Sequence, residues 1–110
     1  MTPFESFFCS ITGHLPYSYQ SALAELPVVD RLIRVPTGCG KTAAVIGAWL
    51  WRRGIDRQHT PTRLVYNLPM RILVGQTRDL AAEWARKSET GTCVYTMMGG
   101  YREGSELERD

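Results

Sequence analysis

The sequence predicts an α/β fold: a parallel sheet with flanking helices. Three observations carry that expectation. Short runs rich in β-branched residues, "RLIRV" at 31–35, "RLVYNL" at 63–68 and "TCVYTM" at 92–97, alternate with two longer segments of helical period. Strand, helix, strand, helix, strand in that order closes by right-handed crossovers into a parallel sheet. A glycine-bearing loop, "VPTGCGKT" at 35–42, joins the first strand to the helix after it, and 110 residues allow one domain at most, with roughly two-thirds of the unfolded surface buried.

The elements follow from local signals. "TPFE" opens a helix, with Thr2 as N-cap, Pro3 at the first helical position and Glu5 completing a capping box. Phe4, Phe7, Phe8 and Ile11 give it one apolar face, and Gly13 ends it. "LPYSYQSALAEL" is a second helix closed by Pro27. After the first strand, a helix runs from Lys41 to about Arg53 and stops at Gly54. "IDRQHTPT" is a polar connection to the second strand. After Pro69 an amphipathic helix spans 71–88, weakened at Gly75 by about 1 kcal/mol relative to alanine. Gly91 ends it, Gly99 and Gly100 turn the chain after the third strand, and "YREGSELERD" is a polar tail.

Composition excludes several classes. Apolar content of 44% and charged content of 22% are ordinary for a globular chain, and a net charge of +2 is too small to argue for nucleic acid. No apolar run is long enough to span a membrane, and "MTPFESFFCS" has no basic residue to begin a signal peptide. Cys9, Cys39 and Cys93 lie far apart without a C-x-x-C pair, which points to a reducing cytoplasm and away from a disulfide framework or zinc site. His14 and His59 lack metal-ligand spacing and read as loop or surface residues.

The loop carries the chemistry. It matches G-x-x-x-x-G-K-[ST] except at Val35, which stands where the first glycine belongs. Gly38 and Gly40 allow positive φ and close approach, so successive N–H groups line a nest for phosphate oxygens. Lys41 reaches β- and γ-phosphates, Thr42 offers a hydroxyl to Mg²⁺, and the following helix points its positive end at the same place. A glycine-rich turn without a ligand is the plain alternative. Gln20, among the aromatics of "HLPYSYQ", can pair with the N6 and N7 edge of adenine, with Tyr17 or Tyr19 as a stacking face; the alternative is a solvated glutamine. Arg71, at a helix start, can hold a nucleic-acid phosphate or be a solvated charge. Gly99 and Gly100 allow another close backbone approach or a plain turn. A Cys39 thiol at a helix N-terminus could be oxidisable, and the plainer reading is a small residue at a variable position.

The order Gln20, "PTGCGKT", "LPMRILVGQT", "MMGG" resembles the first RecA-like domain of superfamily 2 helicases. "TGHLPYSYQ", "VPTGCGKTAAVIGAWLWRR" and "RLVYNLPMRILVGQT" are most similar to the helicase–nuclease of type I CRISPR systems, in the branch with the helicase first and the HD nuclease last. Met70, Ile72 and Val74 depart from the P-T-R-E-L-A of DEAD-box proteins. The resemblance implies an incomplete parallel RecA-like (P-loop) sheet, with 1–30 a helical adenine-recognition segment and 31–110 the phosphate-loop core. It implies adenine contact for Gln20, phosphate contact from Thr37, Gly38, Cys39 and Gly40, Lys41 on the β- and γ-phosphates, and Thr42 on Mg²⁺. It also implies single-stranded DNA contact by Arg71 and at Gly99 and Gly100. The implied protein is an ATP-dependent DNA helicase recruited to a CRISPR surveillance complex. Its D-E-x-H motif, second RecA-like domain with arginine fingers and HD nuclease are expected beyond Asp110, so this chain alone is expected to be inactive. The rival readings are another superfamily 2 translocase of restriction or repair, and a free-standing nucleotide-binding decoy.

Overall fold

The computed structural model describes residues 1–27, 31–35, 40–68, 71–98 and 101–103. Among these residues four helices and two short strands follow in order: α1 (Pro3–Thr12), α2 (Ser18–Glu25), α3 (Lys41–Ile55), α4 (Arg71–Ser88), β1 (Thr96–Met98) and β2 (Tyr101–Glu103). The two strands pair antiparallel, with Thr96 opposite Glu103 and Met98 opposite Tyr101.

This arrangement corrects the expected fold class. Among the described residues there is no parallel sheet, so a parallel RecA-like sheet does not describe this chain. Residues 31–35 and 63–68 form no strand, and of 92–97 only the end enters β1. A β-branched run becomes a strand only where a neighbour supplies the ladder and a face to pack on. Here the ladder is missing: among the described residues neither run pairs with a strand, and Leu32 is 79% exposed and Val65 78%. The apolar stripes of the helices meet one another instead, chiefly α2 on α3 and α4 on α1 and α3. The segment read as a polar tail supplies β2.

Among the described residues two clusters make the core. Phe4 and Phe8 of α1 pack with Ala24 of α2 and Ala48 of α3. Ile11 of α1 joins Ile46 and Leu50 of α3 and Trp84 and Ala85 of α4 in the second cluster, against which Tyr66 packs. Aromatic edges knit the first: the Phe4 ring lies 5.7 Å from Phe8 and 5.8 Å from Trp51, nearly perpendicular to the latter.

The helix ends explain the element bounds. At α1 the Thr2 hydroxyl accepts from Glu5 N at 3.1 Å and Glu5 Oε1 accepts from Thr2 N at 2.8 Å, a complete capping box. Gly13 closes the helix at φ 81°, its N–H donating to Cys9 O at 2.8 Å. The second helix begins only at Ser18, and α3 continues through Gly54 to Ile55, beyond the stop the sequence predicts. Past that end the buried Thr60 hydroxyl lies 2.6 Å from Asp56 O and 3.1 Å from Arg52 O.

Arg52 fastens α3 to α2. Its guanidinium donates to Ala24 O at 3.1 Å, to Leu23 O at 2.8 Å and to Leu26 O, three carbonyls around the C-terminal end of α2. Those carbonyls have few partners within their own helix, and a cation is favoured at that negative end. Partial burial, and secondarily the charge of Arg31, lower the Arg52 pKa from its ordinary value.

The capping box titrates. The Thr2 backbone hydrogen bond, joined by the Thr2 side chain, holds the Glu5 carboxyl below its ordinary 4.5. A depressed carboxyl contributes stability above its unfolded pKa and loses it as pH falls through its folded pKa. Amide exchange in the first turn of α1 is therefore expected to quicken as pH drops below the ordinary carboxyl value of 4.5, beyond the intrinsic exchange trend, and Glu5→Gln should flatten that dependence.

Candidate phosphate-binding site

The residues of interest gather at the start of α3. Gly40 is its N-cap, in the left-handed region at φ 74°, ψ 37°. Glycine is favoured here on two counts, the backbone strain and the displacement a Cβ would force on the Gln20 amide. An L side chain strains that backbone, and a Cβ would lie 2.5 Å from Gln20 Nε2. The close approach comes from α2: Gln20 Nε2 donates to Gly40 O at 2.9 Å, and Gln20 Oε1 accepts from Tyr17 N at 2.7 Å. Gln20 is 2% exposed, so the amide assigned by resemblance to adenine is turned inward and bonded at both ends.

The N-terminal turn of α3 has no side-chain cap and no acidic residue. Its leading N–H groups have no acceptor within the helix, no acidic side chain sits on the turn itself, and the dipole adds a positive potential. Lys41 is exposed on this turn. Thr42 is half-buried, with its Oγ1 3.1 Å from the Tyr66 hydroxyl. At the opposite end of α3 lie Arg52 and Arg53, the favourable sign for a helix C-terminus.

Beside this turn, Tyr17 and Tyr19 stack with centroids 6.4 Å apart and planes 11° from parallel. Tyr17 is exposed, and the Tyr19 hydroxyl lies near Gly40. A shallow groove of about 260 Å³ opens between Tyr19 and Leu23 of α2 and the segment carrying Arg31, Leu32, Arg34 and Val35.

The structure thus brings together Gln20, Gly40, Lys41 and Thr42. Thr37, Gly38, Cys39, Gly99 and Gly100 lie outside the described residues. Arg71 is the first residue of α4. Tyr66 is the neighbour that the sequence does not announce. It stands in a run read as a strand, and its partner is 24 residues away.

A nucleoside triphosphate with Mg²⁺ fits the donors present. The uncapped N–H groups and Lys41 suit phosphate oxygens, and the Thr42 hydroxyl suits one position on a hard cation that takes its other ligands from phosphate and water. Among the described residues no three His, Cys, Asp or Glu side chains group as metal ligands. His14 is exposed, and exposed His59 places Nδ1 2.9 Å from Asp56 Oδ1. Cys9 and Cys93 are free thiols. No helix among the described residues is long and apolar enough to cross a membrane.

No protein-family profile, curated protein or solved structure matches the chain.

Proposed function

We propose that the chain is the ATP-binding part of an ATP-dependent DNA helicase or translocase acting in CRISPR antiviral defence. The observation that carries the nucleotide reading is the start of α3: a glycine N-cap at positive φ, followed by an uncapped first turn that exposes Lys41. The helicase reading rests on the wording of the motifs around that turn and takes no support from the fold.

Mg-ATP would bring a cleavable phosphoanhydride and a divalent charge to this turn. The chain's own residues bind and orient it. Backbone N–H groups from Thr37 to Gly40 would hold phosphate oxygens, Lys41 would take the β- and γ-phosphates, and Thr42 would offer its hydroxyl to the cation. Gln20 holds the carbonyl of Gly40 and with it the start of the helix. Arg71, Gly99 and Gly100 are the proposed contacts to single-stranded DNA, and the CRISPR surveillance complex is the proposed recruiting partner. Catalysis needs a water-positioning acid and compensating cations. In the whole, cytoplasmic protein these would come from a D-E-x-H motif and a further domain supplying arginines.

Replacing Lys41 by alanine removes a charge-assisted contact, and Mg-ATP affinity is expected to fall about 10- to 100-fold by calorimetry. Equal affinity of the parent and Lys41→Ala proteins would remove the nucleotide assignment.

A further inference from the structure

Tyr66 reaches the same turn from a distant part of the chain. Its ring packs against the cluster of Ile11, Ile46, Leu50, Trp84 and Ala85, so its hydroxyl is held in place by the core. That hydroxyl lies 3.1 Å from Thr42 Oγ1, and either oxygen can donate. Thr42 is the second residue of α3. A threonine side chain has more than one staggered χ1 rotamer open to it where nothing holds its Oγ1. A fixed phenol opposite Oγ1 selects one of them.

We propose that Tyr66 is a positioning residue, which locks Thr42 in the rotamer that offers its hydroxyl to a divalent cation bound with a nucleotide. The proposal rests on the nucleotide reading above. A hydroxyl has one proton and two lone pairs. With no cation present, the phenol can donate to Thr42. When Thr42 gives a lone pair to a cation, its proton needs an acceptor, and the Tyr66 oxygen stands at hydrogen-bond distance. Partners of this kind, behind a metal ligand, orient the ligand and raise its affinity for the metal.

Tyr66→Phe keeps the ring and removes only the hydroxyl. In the ligand-free chain, three-bond couplings to Thr42 Cγ2 are expected to report one χ1 rotamer in the parent and rotamer averaging in Tyr66→Phe. Affinity for ATP in excess Mg²⁺ should fall about three- to tenfold, the size of one lost hydrogen bond, while affinity for ATP in EDTA stays the same. Unchanged couplings would overturn the proposal. So would an affinity loss equal in Mg²⁺ and EDTA, which is the mark of a general packing defect, or no loss in either. Lys41→Ala, measured alongside, should weaken ATP in both conditions. If it does not, the nucleotide reading fails, while the couplings still decide whether Tyr66 holds Thr42.

Discussion

Phe4→Ala is expected to lower the stability of the chain by about 3–5 kcal/mol. Phe4 is 1% exposed and stands between Phe8 and Trp51, so truncation removes a large apolar transfer term and two aromatic edges at once. Ala24 and Ala48, its companions in the cluster, are too short to fill the space, so any refilling would have to come from Phe7, Phe8, Leu23 or Trp51. Domains of this size have only about 5–15 kcal/mol in all, so the unfolding midpoint should drop by about 15 °C or more. Thermal unfolding followed by circular dichroism checks this. A drop of only a few degrees would mean that α1 is not part of the cooperative core.

Arg52→Ala is expected to cost about 2–4 kcal/mol. Three carbonyls lose one guanidinium, and their bonds are not additive because a single side chain makes them all. The loss should be concentrated in α2, eight residues long and too short to persist without tertiary support. Hydrogen exchange should therefore show the amides of α2 opening before those of α3. Arg52→Lys should recover only part of the loss, since an ammonium lacks the planar fork that spans separate acceptors. Full recovery by lysine would show that charge at the end of α2 matters and geometry does not.

The parts of this fold legible in the sequence are those decided within one turn of chain. Thr2, Pro3, Glu5 and Gly13 bound α1 because a cap is a contact between residues three or four apart. The bounds 71–88 of α4 are equally local. The sheet failed for the opposite reason. "RLIRV" and "RLVYNL" express a β preference, but a strand needs a partner, and composition does not say whether one will be adjacent. The third run shows the same limit, since its end pairs with the segment just after it and in the antiparallel sense. In the candidate site, the need for glycine at position 40 was readable from the loop motif. That the near contact would be the Gln20 amide was not, and neither was Tyr66. Both depend on how α2 and the 63–68 segment lie against α3.

The Gln20–Gly40 contact also makes the two positions epistatic. A methyl group at position 40 meets two separate obstacles, the amide nitrogen 2.5 Å away and a backbone at φ 74°. Shortening residue 20 clears the first and leaves the second, which still costs about 1–2 kcal/mol for a residue with a Cβ. The effects of the two substitutions therefore do not sum. Once the glutamine is gone, the steric part of the penalty at 40 vanishes and the torsional part remains. A mutational path that alters residue 20 first meets a lower barrier at residue 40 than the reverse order, and no side chain chosen at 20 makes residue 40 neutral.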